Sequence, residues 1–163
     1  ESIARVLPPD VAVIEEAPTT TMGCYFEQAG SLQNTTGYFA QRGWALGWGL
    51  NCAIGVRLAW PDRPVLALIG DGSAMYGVAG LWTAAHYRVP VTFVLCNNRQ
   101  YKILKDCARE LQLPAARAGR FAGLDIADPA IDYVALAQSL AALPEIQNLL
   151  SDLTAPLGAA IRK

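Results

Sequence analysis

The sequence predicts a parallel α/β domain in which strands alternate with crossover helices, and two observations carry that expectation. Three short runs, Val11–Ile14, Val65–Ile69 and Val91–Leu95, are uncharged, rich in β-branched residues and apolar on both faces, as strands in a covered parallel sheet are. Longer stretches with small and apolar residues at helical spacing separate them, which is the pattern of strand–helix–strand units.

Each element has a local reason. Pro8-Pro9 precede the first run, Pro64 the second and Pro90 the third, so each strand begins where proline has ended whatever came before. The first run leads into "EEAPTT", residues 15 to 20, read as a strand end followed by a turn. Trp44–Leu58 reads as a helix whose glycines permit close approach to another backbone. The second run ends in Gly70-Asp71-Gly72-Ser73, read as a loop that opens a helix over Val78–Tyr87, with Leu81, Ala84 and Ala85 on one face. Tyr101–Leu111 is the helix after the third strand. Residues 112–130, rich in Ala, Gly and Pro, read as a loop, Asp132–Leu140 and Pro144–Leu150 as the last helices, and Leu157–Ile161 as a closing strand.

The 163 residues, 53% of them hydrophobic, suffice for one domain with a real core, and residues 1–163 are read as such. A net charge of −1 with acids and bases interspersed offers no basic face, so neither nucleic acid nor a membrane surface is expected as a partner. Cys24, Cys52, Cys96 and Cys107 share no C-x-x-C spacing, and with neither a signal peptide nor an apolar run of about 18 residues the expected location is cytoplasmic. The first residue is Glu1, which raises the expectation of a fragment or processed chain.

The chemistry concentrates at two strand ends. A loop leaving a parallel strand to open a helix presents backbone N–H groups and the positive helix pole to an anion. Asp71 would repel a bare phosphate there unless a divalent cation lay between them. The next strand ends in "CNNRQY", and Asn98 follows Asp71 by 27 residues, about one crossover. An Asp carboxylate and an Asn amide oxygen at adjacent strand ends are hard ligands of the kind Mg²⁺ or Ca²⁺ takes.

This GDG with NN at that distance resembles the cofactor motif of thiamine-diphosphate-dependent enzymes, specifically their diphosphate-binding domain. With "GWALGWGLNCAIGVRLAWPDRPVLALIGDGSAMYGVAGLWTAAHYRVPVTFVLCNN", residues 43 to 98, at its centre, most of residues 1 to 140 resembles the benzoylformate decarboxylase and acetolactate synthase branch. The resemblance implies a three-layer, doubly wound α/β/α fold on a mainly parallel sheet of about six strands. It implies thiamine diphosphate and Mg²⁺ as cofactors, with Asp71, the side chain of Asn98 and the backbone carbonyl of Gln100 on the metal. Gly70, Gly72 and Ser73 would line the diphosphate, Tyr76 could donate its phenol to it, and Thr19 and Thr20 belong to the loop that caps it. Leu46 would be the aliphatic wedge that keeps the cofactor's two rings folded together, and the carbonyl of Trp44 would accept a hydrogen bond from the aminopyrimidine. Ile103 and Leu104 are candidates for an apolar substrate wall.

No catalytic residue proper is assigned to this chain. His86, the only histidine, falls at the far end of its helix and is read as a surface or capping residue. Glu15 and Glu16 are not given the role of the ring-protonating glutamate, because the family carries that residue on its pyrimidine-binding domain, which this chain does not match. The implied partners are therefore a pyrimidine-binding domain in the same or another chain, a homodimer or tetramer, and a 2-oxo acid substrate. The implied activity is decarboxylation of that acid or ligation of its product, with the isolated chain inactive. A non-catalytic cofactor-binding subunit and a flavodoxin-like nucleotide binder are the competing readings. Departures from the family pattern are Arg99 and Lys102, where small residues are common and where a cation could crowd the site or reach an acidic substrate, and Asn51, where proline is frequent. Past Leu140 the likeness fades.

Overall fold

A computed structural model describes residue 3 and residues 7–21, 37–41, 43 and 45–141. In chain order the elements are β1 (Ala12–Glu16), α1 (Pro18–Thr21), β2 (Tyr38–Ala40), α2 (Trp48–Ala59), β3 (Val65–Gly70), α3 (Asp71–Gly77), α4 (Gly80–His86), β4 (Thr92–Cys96), α5 (Lys102–Glu110), α6 (Pro114–Arg117) and α7 (Tyr133–Ala141). The expected helix 144–150 and closing strand 157–161 lie outside the described residues.

Among the described residues the sheet has four strands, all parallel, in the order β2-β1-β3-β4. The three expected strands are present, shifted by one or two residues. β2 is an addition that three residues are too few to announce by periodicity. The order reverses direction between β1 and β3, which makes their carboxyl ends the switch point where open α/β sheets bind ligands. Five register pairs join these two strands, from Ala12–Val65 to Glu16–Ile69.

Alternation along the strands divides the core in two. Ala12 and Ile14 of β1 and Val65, Ala67 and Ile69 of β3 face α2, where they pack with Ala53 and Ala74. Val13, Leu66 and Leu68 face the other way with Val11, against Ile3, Leu7, Tyr38 and Val94. Small residues dominate the α2 side, so that helix lies close to the sheet. Leu50 and Ile54 extend the core to Ala84 and Val89.

Helix starts differ from the sequence expectation in two places that matter for the site. α2 begins at Trp48 instead of Trp44, because Gly47 adopts a left-handed φ of 91° that no helix continues through. The GDG segment is no loop: Asp71 is itself the first residue of α3, and the expected helix 78–87 is shortened to α4. Residues 112–130 also hold more than a loop, since Pro114 opens the one-turn α6 and Asp125 bridges to Gln100.

Leu66 is fully buried at the centre of one core face. Leu66→Ala is therefore expected to cost about 2–5 kcal/mol, read as a lower urea midpoint at unchanged slope.

Candidate functional site

The site forms where β1, β3 and β4 end. Asp71 follows the last residue of β3, is 2% exposed, and its Oδ2 is buried without a hydrogen-bond partner among the described residues. A buried carboxylate oxygen left bare is costly, and a group of this kind calls for a water, an ion or a functional role to explain it. Gly70 pairs in register with Cys96, so Asp71 and Asn98 follow a matched pair at adjacent strand ends by one and two residues. The Asn98 amide lies 3.4 Å from the Thr19 hydroxyl, and its Oδ1 accepts the Gln100 N–H at 3.1 Å. Thr20 hydrogen-bonds the Cys96 thiol, whose ionisation burial pushes up. α1 is thereby drawn onto the end of β4.

The turn after Asn98 is fixed from outside. Tyr101 N–H donates to the Leu124 carbonyl and Ile126 N–H to the Arg99 carbonyl, which leaves the Gln100 carbonyl out of the ladder. Lys105, buried in α5, pairs with Asp125, while Phe121 lies under Lys105 and Arg109 at 5.6 and 4.7 Å. These contacts fasten residues 121–126 to α5 and so hold the turn in place.

Leu46, Ser73, Glu15, Glu16 and Pro18 line one pocket at the switch point. Ser73 is 5% exposed, Leu46 is 38% exposed at the pocket wall, and Tyr76 is largely exposed beside it. Gly70 would tolerate a Cβ at ordinary contact distance, whereas a Cβ on Gly72 would lie 2.5 Å from the Tyr101 ring. Ile103 is half-buried and Leu104 exposed on the first turn of α5. Trp44 lies outside the described residues. His86 is exposed in the last turn of α4, stacked on Trp82 at 4.7 Å. Lys102 pairs with Asp106 along its own helix.

Three residues of the site were not assigned to it from sequence. The Tyr101 ring covers Gly72 and hydrogen-bonds Tyr76, and its position directly after "NNRQ" is the one available signal. Tyr133 donates to the Asp71 backbone carbonyl at 3.1 Å from 62 residues away, with no local sign. Burial, then the charge of Asp71 and the neighbouring Tyr101, push the Tyr133 phenol up to about 12. Glu16 is not the ring glutamate, yet it is buried and accepts the Gly47 N–H at 2.8 Å and the Gly49 N–H at 2.6 Å. Burial raises its carboxyl above the ordinary range, against the pull of these N–H groups and that of Trp48.

These features place the chain among α/β domains that bind a ligand at the carboxyl ends of parallel strands. Residues 19–163 match the model of the thiamine pyrophosphate enzyme C-terminal TPP binding domain, and the chain belongs to that family, whose cofactor is thiamine diphosphate with Mg²⁺. Benzoylformate decarboxylase of Pseudomonas aeruginosa is 38% identical over 136 residues, covering 83% of this chain and 24% of that protein. Acetolactate synthase isozyme 3 large subunit of Escherichia coli is 40% identical over 60 residues, 37% of this chain and 10% of that one. The structure of a thiamine diphosphate-dependent 4-hydroxybenzoylformate decarboxylase from Rhodococcus jostii superposes with a TM-score of 0.71 at 35% identity, covering 85% of this chain and 25% of that one. The chain thus spans about a quarter of the benzoylformate-decarboxylase relatives it matches. The family match runs through residue 163, past Leu140 where likeness is hard to see by eye. Among the described residues no helix is long and apolar enough to cross a membrane.

Two predictions follow from this geometry. Arg99 sits at a left-handed φ of 57°. The penalty for a side chain there, about 1–2 kcal/mol, exceeds the roughly 0.4–1 kcal/mol of unfolded-chain entropy that glycine adds. Arg99→Gly is therefore expected to stabilise the fold by up to about 1 kcal/mol, seen as a raised melting temperature. A phenol that ionises at about 12 when folded and at about 10 when unfolded holds its proton longer in the native state. Its stabilising effect is intact below about pH 10 and is lost as pH rises toward 12. Tyr133→Phe should flatten that alkaline decline and cost about 0.5–1.5 kcal/mol at neutral pH for the lost hydrogen bond, both measured by urea unfolding across a pH series.

Proposed function

We propose that this chain is the diphosphate- and Mg²⁺-holding part of a thiamine-diphosphate-dependent lyase or transferase that decarboxylates a 2-oxo acid or ligates its product. The observation that carries this is the buried, unpartnered Asp71 Oδ2 at the end of β3, beside the Asn98–Gln100 turn at the end of β4. One carboxylate, one amide oxygen and one backbone carbonyl are a hard-oxygen set that suits Mg²⁺, which completes its octahedron with phosphate oxygens and water. Asp71, the Asn98 side chain and the Gln100 carbonyl would hold the metal.

The diphosphate would meet Gly70, Gly72 and Ser73 at the start of α3, Thr19 and Thr20 of α1, and the exposed phenol of Tyr76. Leu46, standing in the pocket wall with Ser73, would support the cofactor's ring pair, and the Trp44 carbonyl belongs to the same proposal. When bound, thiamine diphosphate supplies an electron sink for the C–C bond that breaks or forms. The chain's own residues bind, orient and exclude water around it. Ile103 and Leu104 would form part of an apolar substrate wall.

Residues 1–163 are proposed to act as one domain. The pyrimidine-binding wall and its glutamate would come from residues outside these 163, in the same polypeptide or a second copy, within a homodimer or tetramer. A cytoplasmic location is part of this reading, and the free thiols of Cys52, Cys96 and Cys107 support it.

Calorimetric titration of thiamine diphosphate with Mg²⁺ into the full natural polypeptide tests the assignment. Asp71→Ala should weaken binding by at least about 100-fold, since it removes the only charged member of the proposed metal set. The same substitution should leave the cofactor-free protein as stable as before or about 1–3 kcal/mol more so, because a buried unpaired oxygen is gone. Equal cofactor affinity in both proteins would refute the metal assignment.

A further inference from the structure

Among the described residues the buried carboxylates are Asp71 and Glu16, and the proposed function uses only the first. Glu16 ends β1, and its two oxygens take the N–H groups of Gly47 and Gly49, with Trp48 between them also donating. These are the first donors of α2, which a helix cannot satisfy internally. A local side chain usually serves them, but the N-cap here is Gly47, which has none. The acceptor is instead delivered from a strand 31 residues earlier in the chain. A negative group at the positive pole of a 12-residue helix is also electrostatically favoured.

The residue next to this clamp is Leu46. Gly47 is held on its N–H side by Glu16 and on its carbonyl side by the Asn51 amide at 3.2 Å. A Cβ on Gly47 would lie 2.7 Å from that of Tyr76, and one on Gly49 would lie 2.8 Å from that of Glu16, so neither residue has room to shift toward its neighbour. Leu46 then enters the pocket wall, which Ser73 also lines, from a fixed point.

We propose that Glu16 is a positioning residue: from the end of β1 its carboxylate locks the first turn of α2 and thereby sets where Leu46 stands in the cofactor pocket. The consequence for catalysis rests on the thiamine-diphosphate reading of that pocket, whereas the placement of Leu46 does not.

The test uses the full natural polypeptide with Glu16→Gln, Leu46→Ala, their double variant and Asp71→Ala. Glutamine keeps the shape of Glu16 but turns an NH₂ toward N–H donors, so one of the contacts becomes repulsive. Without cofactor, methyl NMR should show the Leu46 resonances of Glu16→Gln shifted and their contacts within the pocket rearranged. Affinity for thiamine diphosphate with Mg²⁺ should change by less than about threefold, because the metal ligands are untouched. Deuterium exchange at the bound cofactor's thiazolium carbon, which needs no substrate, should slow by about 10- to 100-fold, as expected for a misplaced support. Leu46→Ala should add nothing further in the double variant.

Unmoved Leu46 methyls, or additive losses in the double variant, would overturn the proposal. Should Glu16→Gln not fold, Glu16→Asp keeps the charge on a shorter arm and should give the same signs at smaller size. Shifted Leu46 methyls combined with undiminished cofactor affinity in Asp71→Ala would sink the metal assignment and leave the role of Glu16 in placing Leu46 standing. The opposite pair of results would do the reverse.

Discussion

The parallel pairing of β1 with β3 is the constraint on which the rest depends. Its five register pairs end at Glu16 and Ile69, which places Gly70 and Asp71 immediately past the end of β1. Because the strand order reverses there, the chain leaves β1 in one direction and β3 in the other, and a crevice opens between them. One buried carboxylate stands at each lip. Glu16 is satisfied by α2, whereas Asp71 Oδ2 has no hydrogen-bond partner among the described residues. The first is structural capital for the helix, while the second is a local cost retained at a binding place.

Around this crevice the backbone segments approach too closely for ordinary side chains. A Cβ on Gly77 would lie 2.6 Å from the Gly47 carbonyl oxygen and one on Gly49 2.9 Å from the Glu16 Oε2. The amide of Asn51 fills the remaining space between α2 and the α3–α4 segment, donating to Gly47 and abutting Gly77 and Gly80. The Asn51 amide thereby closes the first turn of α2 on itself where that turn abuts the α3–α4 segment. On the other flank the Tyr101 ring covers Gly72, and Tyr133 secures the Asp71 backbone.

The strand cores were legible because proline and glycine bracket uncharged apolar runs. Asp71 and Asn98 were legible because their spacing matches one crossover. What could not be read lies in tertiary contacts. β2 is only Tyr38-Phe39-Ala40, below the length at which alternation means anything. The start of α2 depends on a left-handed glycine and on an acceptor from another strand, and neither leaves a trace in the residues that follow. Tyr133 reaches its partner across 62 residues.

The clip of Lys105, Arg109 and Phe121 over residues 121–126 differs in kind from the pocket floor. The pocket floor is braced by glycine contacts, where an added methyl group has nowhere to go, whereas the clip joins the buried Lys105 and the exposed Arg109 and Asp125 around one aromatic ring. Because residues 124 and 126 bond the backbone of Tyr101 and Arg99, a change in the clip is passed on to the turn at the end of β4. The glycine floor and the clip thus constrain the same strand ends by different means, one by lack of space and the other by charge and ring contacts.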